Sequence, residues 1–445
     1  MIETEKFLPC LDFAQNIDGG VTAPRGFSAS AVYCGVKRAS YETNTLTANE
    51  ILENKTTQAE HRPDLMLICA DKPCNTAALF TKSIVKGAPL IVSREHLSDG
   101  RAQAIISNSG IANTCCADGV EKARAMCTVT ARELGISETD VLVASTGVIG
   151  KTLPFDPIRK GIPYLHAKLA NTRQAAEAAA KAIMTLDTVK KELAITFELS
   201  GKKVTIGAMG KGGGMIRPDM ATVLGFITTD AAISNRLLIK SLYAAAADSF
   251  NMLSVDGDTS TNDSLFIMAS GMAGNDEITE ENADYELFSR ALSAVCLSLA
   301  RMIARDGDGA TKIIECLVTG AASVKDARKI AKSVIMSPLV KTMIFGEDAN
   351  CGRILCAVGN AGAKVDIDGI GVVLCSEGGE IETCRAGCGL EFSEEDAKKI
   401  LSFDAVTIKI TLSDGGASAR AFGCDLTCDY IKINGAYRSP QTSNI

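Results

Sequence analysis

Hydrophobic positions along the 445 residues fall into short apolar runs parted by polar or glycine-bearing turns, with a few longer stretches of helical period. Asp64-Leu65-Met66-Leu67-Ile68-Cys69-Ala70 is a nearly unbroken apolar run of strand length, the pattern of a strand covered on both faces. Similar runs predict strands over 29–36, 76–81, 86–92, 103–108, 141–145, 193–199, 202–208, 222–229, 264–270 and 311–319. Three more β-type runs form the tail, at 404–412, 418–424 and 428–434. Helical spacing predicts helices over 117–134, with Gly135 at the stop, and over 173–184, 234–249, 278–305, 323–335 and 351–357. Residues 41–63, 254–263 and 306–310 are polar and read as loops. Strands alternating with helices indicate an α/β (α+β) protein built in layers, and the length predicts two or three domains.

Composition narrows the function classes. Hydrophobic content of 46% and charged content of 22% are those of a folded globular chain. Net charge is −7, and the lysines and arginines are dispersed, which argues against a nucleic-acid or anionic-membrane surface. The first residues, Met1 to Lys6, lack the pattern of a signal peptide, and no run of about 18 apolar residues suggests a membrane helix. A cytoplasmic protein is the expectation. The sixteen cysteines are scattered, many in apolar surroundings (Cys69, Cys127, Cys296, Cys356), which reads as free thiols in a reducing compartment. Cys115-Cys116 reads as an adjacent buried pair. Cys384 and Cys388, and Cys424 and Cys428, are too far apart for a Cys-x-x-Cys zinc pair. Only three histidines occur: His61 in a polar segment, His96 in a charged segment that reads as exposed, and His166 on a helix. None has the setting of a triad base or metal ligand, so acyl chemistry in this chain would need another base.

That need directs attention to the midpoint. Lys211-Gly212-Gly213-Gly214-Met215-Ile216-Arg217-Pro218-Asp219-Met220-Ala221-Thr222 runs straight into the β-prone segment Val223 to Asp230. The residues do not fit a Walker loop, because Thr205 stands where its first glycine belongs and Gly212 follows Lys211. A plain glycine-rich connection between strands accounts for the same composition. A chemical reading accounts for more. A threonine hydroxyl is a poor nucleophile without a base. Cutting the bond before Thr222 frees its α-amino group, whose pKa of about 7.7–8.0 leaves a useful neutral fraction near pH 7. The base then sits on the same residue as the hydroxyl. The cut can use that hydroxyl too, by attack on the Ala221 carbonyl. Ser145-Thr146-Gly147, after a buried run, can present a hydroxyl and an N–H to an oxyanion, although a strand-ending turn explains the same residues.

These segments also carry a resemblance. Gly19 to Phe27, Asn108-Ser109-Gly110, Val141 to Gly150, Lys211 to Asp230, Ser254 to Asp263, Gly346-Glu347-Asp348 with Gly352 to Leu355, and Ile433-Asn434 resemble the ornithine acetyltransferase (glutamate N-acetyltransferase) family of arginine biosynthesis, in order along nearly the whole chain. The resemblance implies the layered fold shared with DmpA-like proteins and self-cleavage between Ala221 and Thr222. It implies an α chain, 1–221, and a β chain, 222–445, that stay together as two copies of each. It implies acetyl transfer from N-acetylornithine to glutamate through acetyl-Thr222. By position it makes Thr146 and Gly147 the oxyanion hole and lines the substrate site with Thr185, Lys211, Thr222, Asp308, Asn434 and Ser439. It implies no metal and no organic cofactor, with acetyl-CoA a substrate only in the bifunctional form that also acetylates glutamate directly. The implied partners are small amino acids and the chain's own fragments, with no nucleic acid and no membrane.

Several positions depart from the family pattern. Asp308 stands where the family has Glu, which retracts the carboxylate by about 1.5 Å, one C–C bond. Ile111 replaces Asn, Leu186 Thr, Met252 Arg, Cys351 Trp and Ser439 Thr. The nucleophile, cleavage site and oxyanion hole are intact, so acyl chemistry is better supported than substrate identity. An N-terminal-nucleophile aminopeptidase or amidase, with water as acceptor, and a paralogue with altered substrate or lost activity are the alternatives. Asp256, Asp258 and Asp263 lack the glycine of a calcium loop and read as a polar turn, and Asp306 with Asp308 is weak evidence for a metal pair.

Overall fold

The computed structural model describes residues 4–39, 61–217 and 223–436. The predicted loop 41–63 falls almost wholly outside these residues, and so do Ala221, Thr222 and Ser439. In chain order the strands are Ala14–Ile17 (β1), Phe27–Val32 (β2), Leu65–Phe80 (β3), Arg101–Ile111 (β4), Val141–Val148 (β5), Lys191–Leu199 (β6), Lys202–Lys211 (β7), Leu224–Thr229 (β8), Leu253–Ser254 (β9) and Ser264–Ala269 (β10). They continue with Ile313–Ala321 (β11), Gly371–Ser376 (β12), Gly379–Arg385 (β13), Cys388–Gly389 (β14), Ala405–Thr411 (β15) and Ala417–Cys424 (β16).

The first sheet has the order β1-β6-β7-β8-β10-β3-β4-β5, with β2 against the N-terminal half of β3. Its pairs are antiparallel except β8 with β10 and β4 with β5. Side-chain alternation explains the unbroken apolar run of β3. Met66, Ile68 and Ala70 pack with the helix Arg173–Ala182 on one face. Leu65 and Leu67 pack on the other face with the helices Ala88–His96, Gly119–Leu134 and Phe155–Ala167. Farther along that face, Ala77 and Leu79 meet the helices Asn235–Ala247 and Ala283–Arg305. Both faces are covered, so both parities are apolar.

The second sheet has the order β14-β13-β12-β15-β11-β16-β9 and shares a core with the helices Val324–Met336, Pro338–Phe345, Cys351–Gly359 and Glu394–Leu401. The two sheets are joined by the helix Ala283–Arg305, whose apolar side chains pack with β6 and β7 and also with Ile313, Phe422 and Cys424 of the second sheet. Among the described residues it is the one helix long and apolar enough to cross a membrane, and 61% of its apolar window is buried inside the protein. The observed architecture is the predicted layered α/β class. Segments on either side of Thr222 interleave: β7 pairs with β8 from Ile206↔Thr229 to Lys211↔Leu224, in the middle of the first sheet.

Several local expectations are corrected. The apolar run 86–92, predicted as a strand, is part of the helix Ala88–His96, with a proline in its first turn. The run 428–434 is likewise helical, Cys428–Gly435, because the Thr427 side chain accepts hydrogen bonds from the amides of Asp429 and Tyr430. The predicted strands 64–70 and 76–81 are one strand, β3, with an irregularity between Cys69 and Cys74. The pattern also missed the helices Phe155–Ala167, Pro338–Phe345 and Glu394–Leu401 and the hairpin β12–β13. His96, expected on the surface, is buried with Nδ1 2.8 Å from the Val141 carbonyl. All sixteen cysteines are free thiols, but Cys115 and Cys356 are exposed rather than buried.

Candidate active site

The ends of β4, β5 and β7 come together at one site. β4 and β5 end side by side, Ser109 opposite Thr146 and Gly110 opposite Gly147. Thr146 and Gly147 therefore belong to the strand and not to a turn after it. Gly147 has φ +128°, and a Cβ there would stand 2.2 Å from the Gly110 carbonyl carbon, so no side chain fits. Two buried amides clamp this end. Asn108 accepts from the Ser145 hydroxyl at 2.6 Å and donates to the Ile111 carbonyl at 2.9 Å. Asn262 donates to the carbonyls of Ala112 and Ser145 at 2.6 and 3.1 Å.

Lys211, the last residue of β7, reaches across to the same place. Its Nζ donates to Thr185 Oγ1 at 2.9 Å and to Thr146 Oγ1 at 3.2 Å. Burial pulls its pKa below that of an ordinary lysine, and Asp187, Asp308 and Asp263 oppose the shift. With Lys211 donating to it, the Thr146 oxygen serves as an acceptor there, which leaves the hydroxyl hydrogen for another acceptor in the cavity.

A buried ionic cluster fixes the position of Lys211. Lys191 is fully buried, and its Nζ lies 2.7 Å from Asp187 Oδ1 and 2.5 Å from Asp306 Oδ2. Asp187 also accepts from the amides of Gly212 at 2.8 Å and Thr185 at 2.9 Å. One carboxylate thus holds the residue after Lys211 and the threonine that Lys211 contacts. Burial alone would raise the Asp187 pKa, but Lys191, Lys211 and these bonds hold it well below the usual carboxylate range. Asp306 accepts from the amide and hydroxyl of Thr188, the latter at 2.5 Å. Its carboxylate is committed to this cluster and does not pair with Asp308 at a common ion site. Asp256 is committed as well, to the amides of Met215 and Ile216 at 2.6 and 3.0 Å.

Asp308 sits against the triple glycine. Its Oδ2 accepts from Asn434 Nδ2 at 3.0 Å, while its buried Oδ1 has no hydrogen-bond partner among the described residues. Burial, with Asp187 adding repulsion, raises its pKa to about 6 against the opposing bond from Asn434. Thr146, Gly147, Thr185, Lys211, Asp308 and Asn434 all line one cavity of about 320 Å³. A second chamber of about 30 Å³ shares Thr146, Lys211 and Ser260 and adds Val223 and Asp263. Val223 has φ +147°, a strained conformation for a β-branched residue, one position after Thr222.

Six of the expected site residues therefore share one cavity, while Ala221, Thr222 and Ser439 lie outside the described residues. Sequence reasoning gave no role to Asp187, Lys191 or Asn262, read Asp263 only as part of a polar turn and noted Asp306 only as half of a metal pair. An i,i+4 Asp–Lys spacing marks Asp187 and Lys191, but such spacings are common on solvated surfaces and signal nothing about burial.

The ArgJ family model matches residues 51–439. The arginine biosynthesis bifunctional protein ArgJ 1 of Clostridium acetobutylicum is 49% identical over 86% of this chain and 93% of that protein. The ArgJ protein of Caldanaerobacter subterraneus subsp. tengcongensis is 43% identical over 95% of this chain and 99% of that protein. A solved structure of the arginine biosynthesis bifunctional protein argJ from Bacillus halodurans is 46% identical, covering 48% of this chain and 98% of that chain with a TM-score of 0.46. Matched over most of its length by the family model and by these relatives, the chain belongs to the ArgJ family.

Proposed function

We propose that this chain is a self-processing acetyltransferase of arginine biosynthesis, moving an acetyl group from N-acetylornithine to glutamate through an acetyl-Thr222 intermediate. The relatives' names support the pathway, and the observation that carries the chemistry is the shared cavity. There a buried ammonium, a carboxyl whose buried Oδ1 has no hydrogen-bond partner among the described residues, and an oxyanion-type strand end line one cavity. An amino-acid substrate has charges of both signs for Lys211 and Asp308 to hold. Thr146 hydroxyl and Gly147 N–H are the proposed donors to the oxyanion. Thr185, Asn434 and Ser439 complete the substrate wall.

Thr222 is the proposed nucleophile, with its own α-amino group as base once the Ala221–Thr222 bond is cut. The strained Val223 backbone beside that bond supports self-cleavage. The products, 1–221 and 222–445, would stay together because β7 and β8 are neighbours in one sheet, and two copies of each chain form the proposed assembly. The reaction takes place in the cytoplasm and needs no metal or organic cofactor. Acetyl-CoA serves as a further donor in the bifunctional form.

Intact-mass measurement tests the cleavage: two fragments meeting at Ala221 and Thr222 are expected, and Thr222→Ala leaves one chain. Incubation with N-acetylornithine then adds one acetyl mass to the 222–445 fragment, and glutamate discharges it. A single uncut chain in active protein overturns the mechanism. Discharge to free acetate at a rate indifferent to glutamate makes the enzyme a hydrolase.

A further inference from the structure

The 30 Å³ chamber beside Thr146 holds one carboxyl that acetyl transfer through Thr222 has not yet used. Asp263 closes the 254–263 loop just before β10 and is 6% exposed. Its carboxylate lies beside Ser260, from its own loop, and Lys211, from β7, in the same chamber wall. Lys211 is the only other titratable group lining this chamber among the described residues. The chamber's size suits about one water. Its wall includes Val223, the residue bonded to Thr222, and the Ser264 amide donates to the Val223 carbonyl at 3.1 Å. β8 and β10 run parallel with Leu224 opposite Ser264, so Asp263 precedes the ladder at the level of Val223.

We propose that Asp263 is a proton-holding residue of the transfer, giving a proton to the departing amine and taking one from the attacking amine. The proposal rests on the threonine mechanism above. In the first half-reaction the Thr222 Oγ–acetyl bond forms and the acetyl–nitrogen bond of the donor breaks. The hydroxyl proton goes to the Thr222 α-amine, and the departing nitrogen takes its proton from Asp263, leaving a carboxylate that faces Lys211. In the second half-reaction the glutamate amine bonds to the acetyl carbon and gives a proton back to Asp263, while Thr222 Oγ recovers its own from the α-ammonium. No net proton is consumed. Burial, opposed by Lys211, pushes Asp263 up to about 8, so the acid is protonated at pH 7 yet close enough to neutrality to release and recover a proton.

The test compares Asp263→Asn with the unaltered processed enzyme, using N-acetylornithine and p-nitrophenyl acetate as donors. Phenolate leaves without a proton and an amine does not. Asp263→Asn is expected to cut kcat with N-acetylornithine about 10²–10⁴-fold, with KM changed little. It is expected to abolish the alkaline fall in rate near pH 8 and to slow acylation by p-nitrophenyl acetate less than about tenfold. If Asp263→Asn is not processed, Asp263→Glu gives the comparison and should keep the alkaline fall at a reduced rate. Equal losses with both donors, or an unchanged pH profile in Asp263→Asn, overturn the proposal. Failure of the threonine mechanism shows separately, as no acetyl adduct on the 222–445 fragment of the unaltered enzyme with either donor.

Discussion

Asp308 and Gly213 interlock. The Asp308 amide donates to the Gly213 carbonyl at 2.9 Å, and a Cβ on Gly213 would stand 2.3 Å from Asp308 Oδ1. A Cβ on Gly214 would stand 2.4 Å from Oδ2 of the same carboxylate. The glycines are thus small so that this carboxylate can enter the cavity. Gly213→Ala should push the carboxylate aside and lower kcat/KM for acetyl transfer by about 10²-fold, the scale of a 1 Å misplacement. Self-cleavage in the same variant, followed by intact mass, should be affected much less.

The Asp308 carboxyl also carries a pH signature. Burial holds it up at about 6, so the folded protein keeps it protonated where an exposed aspartate has already ionised. Its contribution to stability is full below the ordinary aspartate range and is lost as pH rises through about 6. Its use as a counter-charge runs the other way, because only the ionised form holds an ammonium. KM for the amino-acid substrate should rise about fivefold between pH 6 and pH 5, because the ionised fraction of a carboxyl with a pKa of about 6 falls from about a half to about a tenth. Asp308→Asn should have a high KM that is flat across this range, which steady-state kinetics measures directly.

Lys211 donates to two threonine hydroxyls at once. Lys211→Met should leave Thr146 free to turn its hydroxyl hydrogen away from the oxyanion and cost about 10²–10³-fold in kcat. Lys211→Arg should not restore the rate, since a planar fork replaces a compact ammonium in a buried slot.

Lys191 depends on both of its carboxylates. Asp187→Asn leaves a fully buried ammonium with one anionic partner and should lower unfolding free energy by about 3–5 kcal/mol, read from urea melts. The folded pKa of Asp187 is depressed, so its stabilisation is complete above the ordinary aspartate range and is lost as pH falls below it. Acid unfolding of Asp187→Asn should therefore be less steep with pH than that of the unaltered protein.

Gly147 tests the strand end. Gly147→Ala combines a positive φ, worth about 1–3 kcal/mol, with a contact against Gly110 that backbone cannot yield cheaply. Lower thermal stability and loss of transfer should appear together, unlike Lys211→Met, where activity should fall with little change in melting temperature.

The contrast between correct and missed elements has a physical pattern. The strand at 65–70 and the helix Gly119–Leu134 were legible because hydrophobic period and a glycine stop are local properties. The segments 88–96 and 428–435 were misread because a short apolar run has the same appearance in either conformation, and a first-turn proline and the Thr427 cap decided for helix. Candidate site residues were legible where a motif carried them, as at Thr146, Lys211 and Asp308. Residues that act by being desolvated were not, because burial leaves no mark on a polar residue's identity.

The amino-acid order alone therefore determined the layered class, the glycine run ahead of a threonine, and the scarcity of histidine that makes a self-supplied base attractive. These are matters of composition and of neighbours along the chain. Only the tertiary structure decided which of the 53 acidic residues do what. It set Asp187 and Asp306 on Lys191, buried one Asp308 oxygen against Gly213 with no hydrogen-bond partner among the described residues, and enclosed Asp263 beside Lys211. Charge state and reach in such a site follow from desolvation and from pairings across 100 residues or more, and no stretch of sequence contains either.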